Sequence, residues 1–228
     1  MGDKFIMDNK ALYSLQYGVF LLGTKADNAG AELAGRKINA CITNTCFQAA
    51  NSPTRIAISV IKQNLTCQMI EESGVFALSV LDRSCSFETI KRFGYQSGRN
   101  ADKFEGFEYS LAENGCPYIQ KGVCAVIEGK VCNKLDLGTH ILFVAEVTEA
   151  RVLGSGEPMT YSYYQSDVKA KADESGVKAA GDKEVPRKII GWRCKICGYE
   201  YNGAELPAEF ECPLCGHPAE DFEPIYEA

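Results

Sequence analysis

Near the C-terminus, four cysteines stand as two pairs, Cys194-x-x-Cys197 and Cys212-x-x-Cys215, with 14 residues between the pairs. Four thiolates at that spacing make a tetrahedral site for zinc or iron, and the spacing does not choose between the metals. A glycine follows the second cysteine of each pair, Gly198 and Gly216. Glycine reaches positive φ without a Cβ clash, which can turn backbone N–H groups toward the sulfurs and tune a redox metal. His217 lies beside Cys215, but four thiols already complete the shell, so it reads as a surface residue.

A second pattern could hold an anion. Ile61-Lys62-Gln63-Asn64-Leu65-Thr66 closes an apolar run and opens a helical one. It offers an ammonium, a capping amide, a hydroxyl and free N–H groups at the positive end of a helix. A capped helix with a nearby lysine is also a common structural feature, so the pattern needs support from its neighbours. Gly154-Ser155-Gly156 lacks a third glycine and a following helix, and is a turn rather than a dinucleotide fingerprint.

The elements that must position these groups are mostly strands. Runs rich in Val, Ile, Phe and Cys occupy Gly18–Thr24, Ile38–Phe47, Arg55–Ile61, Gly74–Leu81, Val123–Val131 and Thr139–Val147. Two short helices interrupt them: Leu65–Ser73, capped by Asn64 and stopped by Gly74, and Phe87–Phe93, capped by Ser86 and stopped by Gly94. With no regular βαβ alternation, the fold class is mainly β with short helices, a barrel rather than a doubly wound sheet.

Charge divides the 228 residues into three stretches. Residues 1–165 are nearly balanced, with 16 Lys+Arg and 17 Asp+Glu. Residues 166–185 hold 4 and 5, have no aromatic side chain and read as a flexible, solvated tether. Residues 186–228 hold 4 and 8, a small acidic domain. The net charge of -6 argues against a grip on nucleic acid, which needs clustered Lys and Arg. No apolar run is long enough to cross a bilayer, and MGDKFIMDNK carries no apolar leader, so a cytoplasmic location is expected. In that setting, eleven cysteines are metal ligands or buried thiols rather than a disulfide framework. Cys41, Cys67, Cys85, Cys116, Cys124 and Cys132 show no C-x-x-C spacing and are expected to be buried free thiols, with Cys124 and Cys132 on one strand face.

WRCKICGYEYNG followed by ECPLCGHPAEDFE resembles the rubredoxin fold, in the short form carried by rubrerythrins. The resemblance implies one iron held by Cys194, Cys197, Cys212 and Cys215, and a small aromatic core of Trp192, Tyr199, Tyr201, Phe210 and Phe222. A structural zinc ribbon remains the alternative for the same four ligands.

An iron site that moves single electrons needs a source. Flavin can accept a hydride from a nicotinamide and release electrons singly, with the protein positioning the cofactor. NACITNTCFQAANSPTRIAISVIKQNLT (residues 39–66), FGYQSGRNADKF (93–104), LGTHILFVAEV (137–147) and MTYSYY (159–164), in that order, resemble the flavin reductase-like FMN-binding split β-barrel. That resemblance implies that Thr43, Asn44, Thr45 and Cys46 lie along the flavin ring and ribityl chain. It also implies that Lys62, Asn64 and Thr66 hold the phosphate, and that Ser97 and Arg99 close over it. Arg99 read alone is one solvated cation in a polar loop. His140 is the only histidine before the tail; the resemblance puts it on the nicotinamide side, whereas the residue alone fits a satisfied structural histidine. Thr139 stands where that family usually carries Asp.

The domain order, barrel over residues 1–165, linker over 166–185 and metal domain over 186–228, resembles the high-molecular-weight rubredoxin family. The resemblance implies a path from NADH or NADPH through FMN to iron, then to a redox acceptor protein, typically a flavodiiron protein reducing O2 or NO. It also implies a homodimer. Two other readings stay open: a flavin reductase that supplies free reduced flavin to a monooxygenase behind a passive zinc tail, and a non-enzymatic ligand sensor.

Overall fold

The computed structural model describes residues 9–27, 30, 33–174, 189–194, 199–213, 216 and 218–226. The chain divides into two compact units, residues 1–180 and 181–228.

The first unit is built on a seven-stranded antiparallel sheet. Its strands are β1 (Phe20–Lys25), β2 (Ile38–Thr43), β3 (Cys46–Asn51), β4 (Thr54–Ile61), β5 (Val75–Leu81), β8 (Val123–Asp136) and β9 (His140–Val152). A two-stranded hairpin of β6 (Ser110–Leu111) and β7 (Pro117–Tyr118) is not paired with it but packs against it, Tyr118 clustering with Ala77 and Val126. The order in the large sheet is β2-β1-β5-β8-β9-β4-β3. The two end strands are therefore consecutive in sequence, separated only by Asn44 and Thr45. One bent strand pairs with β1 before the bend and with β4 after it, so the sheet returns on itself as a barrel.

The sequence reading runs a single strand from Ile38 to Phe47, and the structure breaks it. The reason is local. Thr43 Oγ1 accepts from the Thr45 N–H at 3.4 Å, and Thr45 Oγ1 donates to Asn44 Oδ1 at 3.1 Å. Short polar side chains that bond their own backbone compete with ladder pairing. The seam is joined again at Ser59, whose N–H donates to the Thr45 carbonyl at 3.3 Å and whose carbonyl accepts from the Thr43 hydroxyl at 3.4 Å.

Strand alternation fills the barrel. Ile56, Ile58 and Val60 from β4 meet Ile141, Phe143 and Ala145 from β9, together with Leu22, Phe76 and Leu78. A second cluster outside the barrel contains Leu21, Ala40, Leu81, Ile90, Phe93, Phe104, Met159 and Tyr164. Adjacent residues thus serve different clusters, as Leu21 and Leu22 do on β1. β8 and β9 run beyond the apolar stretches that predict them. The β8 extension is exposed from Cys132 onward, with a register shift between Val131 and Asn133, and the β9 extension alternates only between exposed and half-buried, so neither carries an apolar signal. Cys132 lies on this extension and is exposed, unlike the other five cysteines expected to be buried, and its thiol donates to the Val144 carbonyl at 3.4 Å.

α1 (Leu65–Ser73) begins at Asn64, whose Oδ1 accepts from the Thr66 N–H, and ends at Gly74 in the left-handed region at φ 67°. The cap contributes about 1 kcal/mol. α2 (Phe87–Gly94) begins at Ser86 and continues through Gly94 to a cap at Tyr95. Residues 166–174, expected to belong to the tether, are helical. The run comprises α3 (Tyr161–Tyr163), a π-helical stretch (Tyr164–Lys169) and α4 (Ala170–Glu174). Tyr164 and Val168 pack into the outer cluster, which gives this otherwise polar segment enough apolar contact to order it. Residues 175–185 of the expected tether lie outside the described residues.

In the second unit, β10 (Ile189–Cys194) lies between β11 (Glu200–Tyr201) and β12 (Phe222–Tyr226). Its core is aromatic: the Phe210 ring sits 4.8 Å from Tyr201 and 5.5 Å, edge on, from Phe222, with Trp192 and Tyr199 against the same cluster.

The barrel interior carries the stability of the first unit. Phe143→Ala is expected to lower unfolding free energy by about 3–5 kcal/mol. Val152→Ala, at a side chain 84% exposed, should change it by less than about 0.5 kcal/mol. Denaturant titration of both variants checks the contrast.

Candidate functional site

The bend that closes the barrel also opens a cavity of about 250 Å³. Thr43, Asn44 and Thr45 form one wall, and Ser59 and Ile61 of β4 form the next. Asn64 at the α1 cap and His140 at the start of β9 reach it from one side. Tyr95, Tyr161 and Tyr164 enclose it from the other. The lining combines aliphatic and aromatic faces with hydroxyl and amide groups, a donor set suited to a flat amphipathic ring.

The tyrosines are held as a group. The Tyr95 and Tyr164 hydroxyls are 2.7 Å apart, which ties the end of α2 to the helical run at 161–174. The Tyr161 hydroxyl accepts from Gln165 Nε2 at 2.7 Å, and its ring lies 5.9 Å from that of Tyr164. No single pattern in the sequence marks these three residues as a wall, although Tyr95 falls in FGYQSGRNADKF and the other two in MTYSYY. The hydroxyl pair joins residues 69 positions apart. Ser59 was missed as well, because it reads as the polar member of an apolar strand.

Of the residues expected around the flavin, the cavity gathers Thr43, Asn44, Thr45 and Asn64, together with His140. His140 is half-buried, and its Nδ1 lies 2.9 Å from the Thr139 hydroxyl. The remainder lie elsewhere. Cys46 packs against the barrel interior, where burial pushes its thiol up to about 12. It follows the bend by one residue too many, so strand alternation turns it inward. Thr66 is fully buried, and its hydroxyl accepts from Asn39 Nδ2 at 3.0 Å. Lys62 is ion-paired with Asp136 at 2.6 Å on the surface, a contact that holds the Asp136 carboxyl below its usual range. Ser97 and Arg99 are exposed and outside the cavity, with Arg99 donating to Gln68 Oε1 at 2.8 Å.

Cys41 belongs to both the cavity lining and the barrel interior. Burial raises its pKa, so it is a protonated thiol rather than a nucleophile. No carboxylate lines the cavity among the described residues. The arrangement can hold and orient a flat ligand, and it offers no acid–base pair or nucleophile for hydrolysis.

In the second unit, Cys212 is 2% exposed and packs with Phe222 in the aromatic cluster. Gly216 takes φ 70°, and its N–H donates to the Cys212 carbonyl at 2.8 Å, so the turn after Cys212 uses the positive φ expected of that glycine. Cys194 is the last residue of β10. Cys197, Cys215 and His217 lie outside the described residues.

Two family models match the chain: the flavin reductase like domain over residues 12–171, and the rubrerythrin, rubredoxin-like domain over residues 192–223. The high molecular weight rubredoxin of Moorella thermoacetica is 35% identical, over 96% of this chain and 100% of the relative. The ferric-chelate reductase (NAD(P)H) of Archaeoglobus fulgidus is 38% identical, over 72% of this chain and 93% of its own length. Among solved structures, the NADH:FAD oxidoreductase of Streptomyces globisporus superposes with a TM-score of 0.56. It is 21% identical and covers 70% of this chain and 90% of that one, which shows a shared fold. A barrel closed by a bent strand, a ring-sized cavity at the bend and an aromatic four-cysteine tail agree with both matches: the chain belongs to the flavin reductase-like family and carries a C-terminal rubredoxin-like domain, the arrangement of the high-molecular-weight rubredoxins.

Proposed function

We propose that the chain is an NAD(P)H-dependent oxidoreductase in which FMN, bound at the β2–β3 bend, feeds a single iron held by Cys194, Cys197, Cys212 and Cys215. The acceptor is a redox protein, and a flavodiiron protein that reduces O2 or NO suits a low-potential one-electron donor. The observation that carries the reading is the cavity at the barrel closure, in a chain whose other unit is a rubredoxin-like domain. FMN supplies the conversion of a hydride into single electrons, and tetrathiolate iron carries those electrons one at a time.

The residues have separable tasks. Thr43, Asn44, Thr45 and Ser59 bind ring and ribityl polar groups along the bend. Asn64 and the first turn of α1, with Lys62 once it leaves Asp136, hold the phosphate. Ser97 and Arg99 are kept as closing groups on the next loop. Tyr95, Tyr161 and Tyr164 exclude water from one side, and His140 stands at the rim for the nicotinamide. Hydride transfer depends on how two rings are stacked, so orientation is the protein's main contribution.

The cavity's size supports a homodimer. Small-molecule sites run from roughly 300 Å³ upward, and the 250 Å³ here is too little for a whole nucleotide cofactor. Strand pairing puts Phe47, Ile61 and Leu135, all more than half exposed, on the outer face of β3, β4 and β8. A second copy seated on that face would complete the site. The acidic tail, with twice as many Asp+Glu as Lys+Arg over 186–228, favours an acceptor with a basic docking face. No described helix is long and apolar enough to cross a membrane, in keeping with the proposed cytoplasmic work.

Two variants separate the units. Cys212→Ser should remove the iron, about one per chain by elemental analysis, and abolish reduction of a one-electron acceptor protein. NAD(P)H-driven flavin reduction should stay within about twofold. Zinc in the purified tail, or unchanged acceptor reduction in Cys212→Ser, would overturn the relay. Tyr164→Phe should weaken FMN binding several-fold and lower stability by about 1 kcal/mol through loss of the hydroxyl pair. An unchanged dissociation constant would remove the tyrosine wall from the site.

A further inference from the structure

Lys103 is a buried cation with no role in the scheme above. Its side chain is only 3% exposed. Its ammonium donates to two backbone carbonyls, Ala40 O and Phe93 O, each at 2.9 Å. Among the described residues no carboxylate pairs with it. Its neighbour Asp102 is committed elsewhere, accepting from the Phe104 N–H at 3.0 Å and facing Arg36 at 3.4 Å. Burial lowers the Lys103 pKa from its ordinary value, and it is the two carbonyl acceptors that favour the ammonium form there; the one titratable neighbour that acts on it is the Cys41 thiol, whose own pKa burial raises.

An uncompensated buried ammonium is costly, on the order of several kcal/mol after relaxation. Part of that is met locally. The Ala40 carbonyl lies on β2, an end strand of the sheet, and Phe93 is in the last turn of α2, where the helix dipole favours a cation. A strand-edge staple made of neutral groups would serve the same packing without a charge. The location of the two carbonyls is informative. Ala40 immediately precedes Cys41 and Phe93 immediately precedes Gly94, and both of those residues line the cavity. The ammonium is therefore bonded to the backbone one residue before each of two cavity-lining positions, on β2 and on α2.

We propose that Lys103 supplies the fixed positive charge that favours the reduced, anionic form of the flavin over the oxidised form. The inference rests on the cavity holding flavin. Taking up a hydride brings oxidised flavin two electrons and one proton. With the charge of Lys103 behind the wall, the product keeps its negative charge and takes no second proton. In this role Lys103 touches neither reactant and acts through the low-dielectric wall between them. Such a group moves the potential rather than the ring.

The test is a redox titration of the flavin-loaded full-length protein, followed by its visible spectrum, in the native chain, Lys103→Met and Lys103→Arg. The native protein should take up one proton per two electrons across the neutral range. Lys103→Met should shift the reduced-to-oxidised preference at least tenfold toward the oxidised form, about 30 mV for a two-electron couple. Lys103→Arg, which keeps the charge, should retain most of the native potential. An unchanged potential in Lys103→Met, or equal losses in both variants, would assign Lys103 to packing alone and overturn the proposal. If Lys103→Met fails to fold, the native proton count decides: two protons per two electrons near neutral pH contradicts it. A native protein that retains no flavin would instead refute the cavity assignment, a separate failure.

Discussion

The structure depends on one unpaired step in a strand. Between Thr43 and Cys46 the chain leaves β1 and joins β4: the Thr45 N–H donates to the Thr43 hydroxyl, the Thr45 carbonyl accepts from the Ser59 N–H, and the Thr45 and Asn44 side chains bond each other. Without that bend the sheet would keep two open edges, which invite pairing with other chains. With it, the sheet closes and its seam becomes a place where backbone and side-chain polar groups face a cavity. The loop at 94–104 seals the β2 side of the seam: Gly98 approaches Asn39 so closely that a Cβ would lie 2.4 Å from its Oδ1, and Lys103 takes the Ala40 carbonyl. Closure and the cavity are thus consequences of the same local departure from ladder geometry.

Much of this was legible in the residues. The Asn64 cap and Gly74 stop placed α1 to the residue, because capping is chemistry confined to a few neighbouring positions. The apolar cores of β4, β5 and β9 followed from runs rich in Val, Ile and Phe. The bend did not, since TNT within an apolar run has strand-compatible residues and breaks pairing only through side-chain bonds. The outer halves of β8 and β9 were missed because their exposed residues have no core to signal. The helical run at 166–174 was missed because two apolar contacts, Tyr164 and Val168, order a segment whose composition is otherwise that of a tether.

The candidate site divides in the same way. Asn64 was legible as a helix cap from a short local pattern, whereas Thr43, Asn44 and Thr45 came from the resemblance, and the structure brings all four to the cavity. Cys46, Thr66, Ser97 and Arg99 were carried over by order along the chain, and order does not say which way a side chain points. Alternation turns Cys46 inward and the Asn39 amide claims the Thr66 hydroxyl. Conversely, the tyrosine wall is a tertiary event: Tyr95 and Tyr164 are joined only when α2 and the final helix meet. The tail was the most legible part, because a four-thiolate site must be written in cysteine spacing and its aromatic core is short-range.

In the proposed relay, one chain carries electrons from a nicotinamide to iron. An anaerobic visible spectrum of the purified full-length protein, before and after addition of NADH or NADPH, addresses it directly. Overlapping flavin and ferric tetrathiolate bands, both of which bleach on reduction, are expected. A flavin band that bleaches alone, over a colourless tail, would contradict the relay and leave a plain flavin reductase.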